Sequence, residues 1–246
     1  MRIPRIYVAC DLATDHTIDL PDSAFQHCCK VLRLKDQHPL ILFNGQGGEF
    51  EAELVNVEKR KAQVRIGAFR HLENESPLRV TIGQSLSRGE RMDYAIQKAV
   101  ETGVFAIQPL FSERCEVKLS EARLDKRLQH WQQVAISAAE QCGRGIVPQI
   151  LEPQLLSDWV TKCNQSLKFV MHHHCAVPLQ QIQTPTDHTI AALIGPEGGL
   201  TENEVEIAKS HGFLPLTLGP RVLRTETAPV VILTAVNLMW GDLQPA

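Results

Sequence analysis

Over residues 78–240 the chain alternates apolar runs of strand length with stretches of helical periodicity, a rhythm that few folds accommodate. LRVTIGQSL precedes a segment in which Met92, Ala95, Ile96 and Ala99 recur at helical spacing until Gly103 stops it. VFAIQPLF follows, then the polar SERCEVKL, then a long helix over about 124–142. LKFVMHH and TIAALIGP are further strands, LPLTLGP is a shorter one, and a last helix covers roughly 229–240. Strands alternating with helices predict an α/β domain with a mostly parallel sheet, covered on both faces.

The earlier residues have a different rhythm. Two alternating segments, 49–57 and 61–68, follow a tight turn marked by Asn44-Gly45 and Gly47-Gly48. Closely spaced short strands predict a small β-barrel. The polar stretch RHLENESP separates the two patterns, giving expected domains of 1–72 and 73–246.

Several classes are excluded at this level. No apolar run reaches bilayer length, and the N-terminus MRIPRIYVACDLATD lacks a signal-peptide core, so a cytoplasmic location is expected and a membrane partner is not. The seven cysteines are scattered, odd in number and without CxxC, which speaks against a disulfide framework or a structural zinc site. Met171-His172-His173-His174-Cys175 invites a metal reading. Consecutive residues of an extended segment point to opposite faces, however, so the stretch reads as a strand end and loop, and no metal is expected. A net charge of −3 argues against nonspecific coating of nucleic acid and leaves room for a local basic patch.

The chemistry concentrates where TIAALI runs into GPEGG. Thr201 and Glu204 have capping-box spacing, so a helix starts just beyond the glycines. No lysine follows in P-loop fashion, GxGxxG is absent, and Glu197 would repel a phosphate. A ligand with hydroxyls and an amine suits the loop better, although a plain strand-to-helix turn explains its glycines equally well. The pattern then returns: LPLTL leads into Gly219-Pro220-Arg221-Val222-Leu223-Arg224-Thr225-Glu226-Thr227-Ala228-Pro229. Pro229 fits a first helical turn, and Thr225 or Thr227 is a candidate cap. An ordinary capped turn with a surface ion pair remains open here, but two such loops at one sheet edge make it less comfortable.

IGPEGGLTENEVE followed by LGPRVLRTETAP closely resembles the RsmE family, bacterial methyltransferases of N3 of a uridine in 16S ribosomal RNA. The resemblance covers nearly the whole chain, with HCCKVLRLKDQ and LFNGQGGEFEAEL similar to the family's PUA-like RNA-binding barrel. Thr102, Cys115 and Leu200 depart from the usual pattern on a packing scale. The resemblance implies a SPOUT methyltransferase domain whose C-terminal segment threads a trefoil knot, and a homodimer. It implies S-adenosylmethionine as cofactor and 16S rRNA or the small ribosomal subunit as partner. The implied cofactor pocket comprises Met171, His172, Leu193, Gly195, Pro196, Glu197, Gly199, Leu218, Gly219, Leu223, Thr225, Thr227 and Ala228. Arg224 is the implied stabiliser of charge on the uracil, and Glu226 its orienting or proton-handling neighbour. Arg2, Arg5, Lys30, Arg33 and Lys35, with Arg88, Arg91, Arg114 and Arg144, are candidate RNA contacts, each equally readable as solvated surface. The rival expectations are a non-catalytic RNA-binding or ribosome-assembly protein, and a SPOUT methyltransferase acting at another RNA position. Intact LGPRVLRTETAP argues against the first.

Overall fold

A computed structural model of the chain describes residues 3–116, 121–172 and 178–243. It divides into two compact units, Met1–Glu75 with Ala139–Val147, and Ser76–Ala138 with Pro148–Ala246. The division falls inside the polar stretch 70–77.

The first unit contains strands β1 (Arg5–Tyr7) and β2 (Thr17–Asp19), a short helix α1 (Asp22–Phe25) continuing into a π-helical turn (Gln26–Val31), then β3 (Pro39–Phe43), β4 (Gly48–Val55) and β5 (Gln63–His71). The five strands form one sheet in the order β1-β3-β4-β5-β2, with β1 parallel to β3 and the other pairs antiparallel. The sheet curls as a half-barrel with β1 and β2 as its edges, where a barrel was expected. Alternation places Leu40, Leu42, Ala52, Leu54, Val64 and Ile66 on the inner face, against Phe25 and Cys28 of the helical segment. Burial raises the Cys28 thiol pKa to about 12, so this cysteine behaves as a core residue.

Arg5 anchors residues 139–147 to the half-barrel. Its guanidinium donates to Glu49 at 2.8 Å, to Ala139 O at 3.0 Å and to Arg144 O at 2.8 Å, and lies over the Phe43 ring. Glu49 also pairs with Arg70. Arg144 is buried and donates to Glu75 at 2.9 Å. Arg5 and Arg144 are therefore structural in this unit, a correction to their expected role at an RNA surface.

The second unit runs β6 (Arg79–Ser85), α2 (Glu90–Glu101), β7 (Ala106–Phe111), α3 (Glu121–Cys142, whose last residues belong to the first unit), β8 (Gln149–Ile150), β9 (Gln154–Leu155), α4 (Leu156–Lys162), β10 (Leu167–Met171), β11 (Thr189–Ile194), α5 (Glu202–Ser210), β12 (Leu214–Leu216) and α6 (Ala228–Trp240). Its sheet has the order β12-β10-β11-β6-β7-β8, with β9 paired to β7, and every pair is parallel. Met92, Ala95, Ile96 and Ala99 are the buried face of α2, which ends at Gly103 with φ +86°. Helix α4 has only seven residues, yet Leu156, Trp159 and Val160 bury one side of it. The Trp159 ring packs on Gly83, where a Cβ would stand 2.4 Å from it.

Because the strands are parallel, the segments that follow β6, β7, β10, β11 and β12 all emerge at one edge of the sheet, where open α/β folds hold ligands. Among the described residues no helix is long and apolar enough to cross a membrane, and no cluster of three or more His, Cys, Asp or Glu could hold a metal ion. His173, His174 and Cys175 lie outside the described residues.

Candidate active site

The two loops expected to face one another do so, around a cavity of about 600 Å³ at the C-terminal edge of the sheet. That volume lies in the range of small-molecule sites. One wall is the loop between β11 and α5. A Cβ on Gly195 would meet Leu200 Cγ at 2.9 Å and the Leu200 amide nitrogen at 3.1 Å, so only glycine lets the loop fold back on itself here. Gly199 takes φ +71°, a left-handed conformation that L side chains disfavour. The capping box forms as expected: Glu204 N donates to Thr201 Oγ1 and Thr201 N donates to the Glu204 carboxylate. The other Glu204 oxygen accepts from Glu113 N at 2.8 Å, which fastens the segment after β7 to the start of α5.

The opposite wall is the segment between β12 and α6. The Thr217 hydroxyl donates to His172 O at 2.6 Å and holds this wall to the end of β10. Thr225 is buried, and its hydroxyl donates to Gly195 O at 2.7 Å, joining the two walls. Neither expected threonine cap forms on α6: Thr227 is its first flanking residue without a side-chain cap bond, and Thr225 is engaged with Gly195. Pro229 sits in the first turn as anticipated.

Of the residues expected around a pocket, Met171, His172, Gly195, Pro196, Glu197, Gly199, Leu218, Leu223, Arg224, Thr225, Glu226 and Ala228 line the cavity. Leu193, Gly219 and Thr227 do not. Side chains alternate along β11, so Ile194 reaches the cavity while Leu193 packs into the core beside Val170 and Leu110. Gly219 has φ +84° and makes the bend. Thr217, Val222 and Gly198 also line the cavity and were not anticipated, although each adjoins a residue that was.

Arginines cluster at the mouth. A second cavity of about 570 Å³ is lined by Arg88, Gly89, Glu90, Arg91, Arg114, Glu116, Glu197 and Gly198. Arg91, Arg114, Glu197 and Gly198 line both cavities, which are therefore contiguous. Arg114 donates to Gly198 O at 3.1 Å, and Arg91 donates to Glu197 at 2.9 Å. Burial pushes the Glu197 carboxyl up, but hydrogen bonds from its own amide, from Arg91 and from the Arg88 amide outweigh that and hold it below the usual carboxylate range. Arg88 is exposed and pairs with Glu116 at 2.9 Å. In the first unit Lys30, Arg33 and Lys35 are exposed, while Arg2 lies outside the described residues.

A parallel sheet whose C-terminal edge holds a cavity between two glycine-bearing loops, lined by apolar side chains and by Arg91, Arg114, Arg221 and Arg224, is an α/β domain built to take an anionic or nucleotide-like ligand. A family model described as an RNA methyltransferase domain matches residues 74–237, and one described as an RNA methyltransferase PUA domain matches residues 20–67. The chain belongs to this RNA methyltransferase family. It is similar to the ribosomal RNA small subunit methyltransferase E of Buchnera aphidicola subsp. Acyrthosiphon pisum, 36% identical over 99% of this chain and 96% of that relative. A solved methyltransferase of Legionella pneumophila, in complex with bound S-adenosylmethionine, superposes with a TM-score of 0.95 at 38% identity, covering 99% of this chain and 100% of that one. The ribosomal RNA small subunit methyltransferase E of Neisseria gonorrhoeae, also solved with S-adenosylmethionine, gives 0.92 at 42% identity over 99% and 100% of the two chains.

Proposed function

We propose that the chain transfers a methyl group from S-adenosylmethionine to N3 of a uridine in the 16S RNA of the small ribosomal subunit. The observation that carries this reading is the cavity of about 600 Å³ with Arg224 and Glu226 on its wall, in a chain that aligns over nearly its full length with proteins named ribosomal RNA small subunit methyltransferase E.

The residues present fit the cofactor. Met171, Ile194, Leu216, Leu218 and Leu223 supply an apolar slot for an adenine ring, and the glycines expose backbone groups to meet its edge. The carboxylates of Glu197 and Glu226 suit a cationic ligand. When bound, S-adenosylmethionine supplies an electrophilic methyl group.

The protein's own task is alignment and charge management. Two reactants must be held in line, and the loops joined through Thr225 and Gly195 provide a fixed frame for that. Uridine N3 must lose its proton, and negative charge then spreads over the flanking carbonyl oxygens. Arg224 stabilises that charge, and Glu226 orients Arg224 or helps with the proton. Arg88, Arg91 and Arg114 at the mouth receive the RNA backbone, with Lys30, Arg33 and Lys35 of the RNA-binding domain, residues 1–72, as a further surface for it. Residues 73–246 form the catalytic domain, acting as a homodimer with a knotted C-terminal segment, and the enzyme works in the cytoplasm where ribosomes assemble.

The test is incubation of purified protein with labelled S-adenosylmethionine and undermodified small subunits, followed by mapping of the methylated nucleotide. One N3-methylated uridine in 16S RNA is the expected product. Methylation at another position, or RNA binding without transfer, would overturn the reading.

A further inference from the structure

Gln84 is the next-to-last residue of β6 and is buried, with 1% of its surface exposed. A buried amide needs partners for two donor hydrogens and an acceptor oxygen. Its Nε2 donates to Thr225 Oγ1 at 2.9 Å and to Ser85 O at 3.3 Å. Thr225 Oγ1 donates in turn to Gly195 O at 2.7 Å. Among the described residues, Gln84 Oε1 has no partner.

The direction of this relay is determined by the atoms at its ends. Ser85 O and Gly195 O can only accept, so the amide must present its nitrogen and the hydroxyl must point its single hydrogen at Gly195. With the amide reversed, two carbonyl oxygens would face each other and Gly195 O would lose its donor. The relay thus ties the end of β6 to the glycine loop and to Thr225. Thr225 stands between Arg224 and Glu226, and all three line the cavity.

We propose that Gln84 is a positioning residue for the methyl transfer: by orienting the Thr225 hydroxyl it fixes the Arg224–Glu226 segment against the glycine loop. The proposal rests on the role given to Arg224 above. An apolar side chain of equal length would spare the cost of burying the unpaired Oε1 but would take the donor from Thr225 Oγ1, so what only the amide supplies is the direction it imposes on that hydroxyl. A group retained for geometry at a cost in stability is common at functional sites.

The experiment measures melting temperature, S-adenosylmethionine affinity by calorimetry, and kcat and KM on undermodified small subunits. Gln84→Met should melt close to the parent temperature, since a lost hydrogen bond and a relieved orphan oxygen nearly offset, while kcat falls about tenfold or more and S-adenosylmethionine affinity falls by less. Thr225→Val should lose a similar factor in kcat. The double variant should lose no more than either single one, because both break the same relay. Gln84→Glu gives a signature that a packing role would not: its protonated carboxyl donates to Thr225, whereas its ionised form draws the threonine hydrogen away from Gly195. Its kcat relative to the parent should therefore decline as pH rises. Unchanged kcat in Gln84→Met, or a loss that follows a lowered melting temperature, overturns the proposal. The two readings fail separately. Normal turnover in Arg224→Ala removes the role of Arg224, whereas an inactive Arg224→Ala beside a fully active Gln84→Met removes only the relay.

Discussion

Glu204 is a buried carboxylate, 3% exposed, whose two oxygens serve different segments. One accepts from Thr201 N at 2.8 Å and closes the capping box; the other accepts from Glu113 N at 2.8 Å, in the segment after β7. Replacing Glu204 with alanine removes both bonds and leaves two amides short of an acceptor. Hydrogen bonds to charged groups contribute about 1.5–3 kcal/mol each, and burying the carboxylate offsets part of that, so the loss should be about 3 kcal/mol. For units of about 150–250 residues each kcal/mol shifts the melting temperature by about 2–4 °C, which gives a drop of about 6–12 °C. Glu204→Gln keeps one acceptor and turns an amide donor toward the other N–H, so it should fall between alanine and parent. Calorimetric melting of the three proteins decides the matter. A Glu204→Ala transition within about 2 °C of the parent would refute the claim that this side chain joins the two segments. Cofactor affinity should also weaken in Glu204→Ala, because Arg114, next to Glu113, donates to Gly198 O and Leu200 O in the cavity wall.

Arg224→Ala should cut kcat by about 10²–10³ with cofactor affinity nearly unchanged, checked by steady-state kinetics and calorimetry; near-normal turnover would sink the assignment. Gly199→Val places a β-branched residue at φ +71°, which costs about 1–2 kcal/mol in backbone strain alone. Since Gly199 also lines the cavity, S-adenosylmethionine affinity should fall, and unchanged binding would count against the pocket assignment. Burial holds the Glu140 carboxyl above the usual range, despite the hydrogen bond from Tyr7 N and the positive charges of His27 and Arg5. A raised folded pKa means this group's stabilising contribution is present below the ordinary glutamate range and is lost as pH rises through the folded value. Glu140→Gln keeps an acceptor for Tyr7 N and does not ionise, so it should melt higher than the parent at neutral pH, with the gap closing in acid. A pH-independent gap would show that ionisation is not its source.

The site was legible in the sequence where its determinants are local. The Thr201–Glu204 box and Pro229 act within a few residues of themselves, so spacing exposed them, whereas Gly195 and Gly199 showed by spacing only as a turn and entered the pocket through the family resemblance. Arg5 and Arg144 were not legible, because a charge takes its role from what the fold brings to it: Glu49, Glu75 and the carbonyls of Ala139 and Arg144 are distant in the chain. Helices α1 and α4 are too short to establish a period, and only their packed faces reveal them. Gln84 lay furthest from view. Its partner is 141 residues away, and a glutamine in an apolar strand has no local mark of function.

The ties around the cavity fall into two kinds. Thr225 to Gly195 and Glu204 to Glu113 are buried or partly buried, where a hydrogen bond is hard to replace with water. The Arg91–Glu197 and Arg88–Glu116 pairs have side chains 34–67% exposed, where an ion pair contributes about 0–1 kcal/mol and exchanges partners readily. In the proposed reading the deep ties hold the walls against which a small cofactor fits, and a fixed frame lowers the entropy lost on binding. The shallow ties lie at the mouth, where a polyanion can take over the guanidinium groups from Glu197 and Glu116 without disturbing those walls. A rigid floor and an exchangeable rim are what a transferase needs when its cofactor is small and its substrate is an RNA that must arrive, be held and leave.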